Sequence, residues 1–245
     1  MEPDARAASV DLPTAQTVAA VAALGDESRR RMYEVIRGAV RPVTRDQAAA
    51  AVGISRKLAA FHLDKLVEVG LLDVEVAGPA VVRRVGRRPK VYRASEAPVR
   101  VSIPSRCPDL LVEILVEALD TAEDEAPDDG SRSRTARVAA VARRRGRELG
   151  AAERDRTRPG RLGVERALTA VGTLLTALGF EPRRERPSEL SLRNCPFHPH
   201  AAAAPQLVCA LNHALISGLL DGLQADTVTA TLAPRAGECC VRLSG

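Results

Sequence analysis

The chain has 245 residues, 45% of them hydrophobic and 2% aromatic with no Trp, and carries a net charge of +5 with a pI of about 9.2. That length admits two domains, and that apolar content can bury a core built from Ala, Val and Leu, which favours helices. The N-terminus lacks the basic and apolar regions of a secretory signal and no run of about 18 apolar residues occurs, so a cytoplasmic protein with no membrane partner is expected.

Charge is uneven along the chain. The first 100 residues carry 17 basic and 12 acidic side chains, a surplus that permits a polyanion partner. Nearly all basic residues are Arg, with Lys only at 57, 65 and 90, so Arg enrichment alone says little about a ligand.

Residues 1–12 read as a loose tail. Val18, Val21, Ala22 and Leu24 then follow helical spacing until Gly25. Asp26 caps a helix expected over 27–37, with Met32, Val35 and Ile36 as its apolar stripe. The stretch 38–43 is a turn. Thr44 caps a short helix over 45–52, Gly53-Ile54 makes a tight turn, and Ser55 caps a helix over 56–69 that Gly70 ends. Ala59, Leu63, Leu66 and Gly70 share one face of it. Two short helices joined through a Gly turn make a helix-turn-helix. Residues 71–77 and 90–94 read as strands, with Leu72, Val74 and Val76 alternating against polar neighbours. Between them Arg83, Arg84, Arg87 and Arg88 give a hairpin with a basic tip, a wing.

Pro98, Pro104 and Pro108 mark a connector. The helix expected over 109–123 is amphipathic, 120–129 is an acidic loop, and 135–155 is an Arg-rich helix. Helix 164–178, a hairpin of 180–186 with 189–192, loop 194–205, helix 206–220 and a hairpin of 227–232 with 239–243 follow. The expected fold is therefore α+β and mostly helical. A winged helix-turn-helix spans 1–97, a helical linker or dimerisation region spans 98–160, and a cysteine-containing α-β-β-α-β-β module spans 161–245.

The segment Ser-Arg-Lys-Leu-Ala-Ala-Phe-His-Leu-Asp-Lys-Leu-Val-Glu-Val-Gly-Leu-Leu (55–72) resembles the recognition helix of ArsR-type winged-helix repressors. Gly-Arg-Arg-Pro-Lys-Val-Tyr (86–92) resembles the wing strand of that superfamily. The resemblance covers about a third of the chain and implies binding to a double-stranded DNA operator. Such a helix offers its N-terminal residues to base edges in the major groove. Ser55 caps it, Arg56 can take guanine in a bidentate contact, and Lys57 reaches guanine or phosphate. Ala60 and Phe61 lie on the outer face, able to meet a thymine methyl, and Lys65 reaches phosphate. Arg87 and Arg88 suit a minor groove, with Arg83 and Arg84 tracking phosphates. His62 reads as a structural residue beside the core. One recognition helix covers only a few base pairs, so a homodimer on two half-sites is expected, paired through helix 109–123. The simpler role of that helix is packing within its own chain. The Arg cluster 143–147 reads first as a solvated helix face.

Four of five cysteines fall in the last 51 residues: Cys195, Cys209, Cys239 and Cys240. An odd cysteine count outside the secretory route favours metal or redox use over a disulfide framework. Thirteen residues separate the first two and 29 the next, so no finger-type pairing at C-x₂₋₄-C spacing exists. Soft thiolates at such distances leave iron–sulfur, zinc and a metal-free thiol switch open. Buried cysteine as a small hydrophobe accounts for Cys107. A Cys195/His198 nucleophile–base pair is the enzymatic alternative, but no third orienting group is placed and no phosphate-cradling loop occurs. No catalytic activity is expected.

The joined architecture is similar to iron–sulfur-binding repressors of the Suf type. That resemblance implies a cluster, expected as 4Fe-4S with zinc as the alternative, held by Cys195, Cys209 and either Cys239 or Cys240. His198 is then a candidate fourth ligand. His200 reads as a loop residue and His213 as structural.

Overall fold

The computed structural model describes residues 15–76, 89–97, 99–120 and 132–245. The protein is α+β, with two small antiparallel sheets, and its described residues fall in two compact units within Pro13–Val101 and Ser102–Gly245.

The first unit runs α1 (Ala15–Ala23), α2 (Glu27–Arg37), β1 (Val43–Thr44), α3 (Arg45–Val52), α4 (Arg56–Glu68), β2 (Leu72–Val76) and β3 (Lys90–Ala94). Asp26 starts α2 by accepting the Arg29 amide at 2.9 Å. Thr44 and Gln47 form a reciprocal capping box at α3, satisfying two otherwise orphaned donors. Gly53 ends α3 at φ 76°, a left-handed turn that a side chain resists. Ser55 then accepts the Leu58 amide and starts α4. Ala59, His62, Leu63 and Leu66 are its buried face, packed on Met32 and Ile36 of α2.

The sheet order is β1-β3-β2, with Val43 and Val74 both opposite Tyr92. Strand β1 lies where the sequence suggests only a turn. Two residues carry too little alternation to show a strand, and pairing with β3 creates it. The expected apolar face of β2 is buried only at Leu72. Val74 and Val76 are 39% and 63% exposed, so the alternation of β2 does not become a buried face. Arg83, Arg84, Arg87 and Arg88 lie outside the described residues.

The second unit runs α5 (Pro108–Asp120), α6 (Arg132–Thr157), α7 (Val164–Ala177), β4 (Pro182–Arg186), β5 (Glu189–Leu192), α8 (His200–Ala203), α9 (Pro205–Leu223), β6 (Thr229–Leu232) and β7 (Val241–Ser244). Helices α5 and α6, expected as a linker, share this unit with the cysteine module. The hairpins join through β5 and β7 into one sheet, β4-β5-β7-β6. Phe180 and Phe197 meet edge-to-face at 6.2 Å in a core that also takes Leu168, Leu175, Leu211 and Leu215. Helix α9 is long and apolar enough to cross a membrane by composition, yet 56% of that window is buried within the unit as core.

Helices α6 and α9 cross with their backbones almost touching. Gly146 and Gly150 face Gly218 and Gly222, and a Cβ on any of the four would lie 2.0–2.4 Å from a carbonyl oxygen of the other helix. Asp221 beside this crossing pairs with Arg143 at 2.9 Å and Arg147 at 3.6 Å. Glu117 of α5 pairs with Arg144 and Arg145. The Arg cluster thus ties α6 to its neighbours.

Candidate functional site

The N-terminal end of α4 is open to solvent. Ser55, Arg56 and Lys57 are exposed, Ala60 is half-buried, and Phe61 is 62% exposed although it is the largest apolar side chain on the helix. Phe61 therefore adds nothing to the core on which the opposite face of α4 packs. Arg56 Nε sits 2.6 Å from Asp46 Oδ1 at the start of α3, and Lys65 Nζ 2.9 Å from Glu68. Both pairs are largely exposed, hence worth about 0–1 kcal/mol and easily exchanged for another anion. Arg45, Arg56, Ala60, Lys90 and Tyr92 contribute to a groove of about 530 Å³. His62 is buried, its ring against Phe61 at 5.6 Å, and its Nδ1 meets no hydrogen-bond partner.

The four C-terminal cysteines converge. Cys195 opens the turn after β5, Cys209 lies in the second turn of α9, and Cys239 and Cys240 lead into β7. Their thiols influence one another in a chain, Cys195 with Cys239, Cys239 with Cys240, and Cys240 with Cys209. Backbone bonds hold this arrangement. Cys239 donates its amide to Leu192 O at 2.8 Å, and Cys107, just before α5, donates to Pro196 O at 3.0 Å. Asn194 donates to the carbonyls of Ser105 and Gly179 and accepts from Arg106, which also reaches Cys195 O.

The sulfurs alternate as hydrogen-bond donors and acceptors. Cys240 is held down to about 6, chiefly because the Cys239 thiol donates to it, against the opposing effect of burial, with Cys209 and Asn212 donating as well. Cys195 is also lowered, first by the Cys239 thiol and further by the Phe197 amide and the Arg106 charge. Cys239 is pushed up because it donates to both neighbours, and Cys209 is pushed up to about 12 by burial and by its bond to Cys240. Cys195 and Cys240 are thereby both shifted in the direction of the thiolate, the form that binds metal and attacks disulfides.

Asn212 completes the group, and the sequence reading missed it. It is wholly buried, its Nδ2 is 3.0 Å from Cys239 Sγ and 3.8 Å from Cys240 Sγ, and its Oδ1 has no partner. The available signal was its position three residues after Cys209, on one helix face. Cys107 is buried among apolar side chains, as a small hydrophobe would be. His198 and His200 are exposed beyond the cysteine turn, and His213 Nε2 lies 3.0 Å from Ala230 O.

Among the described residues no three His, Cys, Asp or Glu side chains already form a metal-holding set. The sulfurs form a chain rather than a ring around one centre. Their chemistry nevertheless fits a soft metal group: four thiols, two of them inclined to the thiolate, a buried amide donor and one orphaned amide oxygen. No protein-family model matches the chain, and comparison with curated proteins finds no match.

Proposed function

We propose that the protein is a dimeric DNA-binding transcriptional regulator, acting as a repressor, whose operator binding responds to an iron–sulfur cluster in the C-terminal unit. The observation that carries this reading is the convergence of Cys195, Cys209, Cys239 and Cys240 from a loop, a helix and a strand start. A thiol cluster drawn from positions up to 45 residues apart is costly to assemble by chance.

The first unit supports the DNA half of the reading. Its element order and β1-β3-β2 sheet suit a winged helix, with α4 as the recognition helix and 77–88 as the wing. Exposed Arg56, Lys57 and Phe61 suit base edges, and the wing arginines at 83, 84, 87 and 88 suit the flanking backbone and minor groove. Two apolar faces support pairing of subunits: Val18 and Val21 on α1, and Val112, Val116 and Leu119 on α5, all about half exposed or more.

Cys195, Cys209 and one or both of Cys239 and Cys240 would hold the cluster, which supplies a change of charge or occupancy when bound. The chain's own part is to exclude water with Phe197 and Leu211, to favour negative charge at Cys240 through Asn212 and at Cys195 through Arg106, and to tie the site to α5 through Cys107. A second reading, a metal-free thiol switch, is favoured by the lowering of Cys195 by the neighbouring Cys239 thiol together with the Cys239 amide bond to Leu192 O, which brings the two turns together. Zinc in the same ligands is the remaining alternative.

The test is anaerobic purification followed by iron, sulfide and zinc analysis, with gel shifts of metal-loaded and stripped protein on promoter DNA. A brown protein with iron and acid-labile sulfide, and an operator affinity that changes on stripping, is expected. Colourless protein with stoichiometric zinc supports the alternative. Equal affinity before and after stripping removes the coupling, and the lack of a salt-dependent shift removes DNA binding.

A further inference from the structure

Position 212 lies on the core side of α9, beside Leu211, Leu215 and Leu219. A buried amide with an unmet hydrogen-bonding atom is costly at such a position, where an apolar side chain has no polar atom to satisfy. Asn212 accepts that cost at zero exposure. Its two hydrogen-bond contacts are both to sulfur, at 3.0 and 3.8 Å, and its Oδ1 meets nothing. Sulfur accepts from an amide, and the N–H₂ faces the pair. The Asn therefore contributes nothing to helix capping or to backbone satisfaction. Among the described residues its side chain's hydrogen bonds go to the cysteine pair.

We infer that Asn212 is a positioning residue of the cysteine site, whose Nδ2–H group, within reach of both sulfurs, stabilises the negative charge that the Cys239–Cys240 pair carries as a unit and thereby sets the reduction potential of the site. The inference rests on the reading of the four cysteines as the responsive centre. A hydrogen bond to sulfur favours whichever redox state places more charge there, which is the reduced state both for a thiol pair and for a thiolate-bound cluster. Loss of the donor lowers the potential in both cases. A residue present only for packing would alter stability and leave the potential where it was.

The test uses the full chain, as wild type, Asn212→Leu and Asn212→Ala. The metal-free protein is equilibrated in glutathione buffers, where two cysteine thiols give two electrons and two protons to oxidised glutathione and two molecules of reduced glutathione leave. The disulfide fraction is read by mass after trapping. In both variants the equilibrium is expected to move about tenfold toward the disulfide, which is about 30 mV for a two-electron couple. Iron-loaded protein, where it forms, is expected to show a lowered midpoint potential by voltammetry. Folded variants within twofold of wild type overturn the inference, as does a wild type whose cysteines stay reduced in every buffer. Should the leucine overpack the core and prevent folding, the alanine variant gives the reading. Wild type that takes up neither iron nor zinc removes the metal reading alone, because the glutathione equilibrium needs only the thiols.

Discussion

Gly146 on α6 and Leu215 on α9 stand so close that a Cβ on the glycine would sit 2.0 Å from the leucine's carbonyl oxygen. Gly218 stands in the same relation to Arg143 O. Alanine would gain about 1 kcal/mol from helix propensity, but the clash is with backbone, which cannot rotate aside. The steric effect wins. Gly146→Ala and Gly218→Ala are each expected to destabilise the C-terminal unit by about 3 kcal/mol in urea unfolding. They are also expected to lower metal content, since α9 carries Cys209 and Asn212.

Asp221 shows the opposite balance. Its pairs with Arg143 and Arg147 are half exposed and flank the glycine crossing. Asp221→Asn is expected to cost less than about 1 kcal/mol by the same measurement. With those arginines engaged inside the unit, Arg147→Ala should leave the salt dependence of DNA binding unchanged in titrations at several ionic strengths.

On DNA, Arg56 and Lys65 are expected to separate cleanly. Arg56→Ala should cost about 1–3 kcal/mol and relax preference at one base pair, since a bidentate contact carries sequence information. Lys65→Ala should weaken all sequences alike and reduce the salt slope by about one. Binding assays on a site library at two salt concentrations distinguish the outcomes.

Asp26 gives a pH-dependent prediction. The Arg29 amide it caps holds its carboxyl below the ordinary 3.8, so its folded-state value lies under its unfolded one. The contribution to α2 is fully present above pH 4 and fades as pH falls through the folded value. Asp26→Ala should lower the melting temperature at pH 7, and the gap from wild type should narrow by pH 3. Asp26→Asn, which also caps, should keep more of the stability at pH 7.

Local signals were legible where one residue does one task. Thr44, Ser55 and Gly53 bound α3 and α4 within a residue of the expected limits, because a cap is chosen by the chain beside it. The strand Lys90–Ala94 and helix α7 were legible for the same reason. Relations between distant segments were not. Nothing near Val43 announces its pairing with Tyr92, and nothing in the Arg-rich run of α6 announces that Gly146 and Gly150 meet Gly218 and Gly222. Short α8 was read as loop, since four residues carry no helical period. The cysteines could be nominated from residue type, but their order of contact follows from the β5–β7 pairing. Asn212 escaped notice because a lone Asn in an apolar helix resembles a polar interruption until the sulfurs are seen beside it.

The bond from the Cys107 amide to Pro196 O lies one residue from Cys195 and one residue from the start of α5. A change in sulfur spacing therefore has a short mechanical route. Drawing Cys195 inward would pull Pro196, then Cys107, then the first turn of the helix that bears Val112, Val116 and Leu119. A single peptide hydrogen bond thus joins the cysteine turn to the chain at the foot of α5, and a shift at the sulfurs would reach that helix before any other.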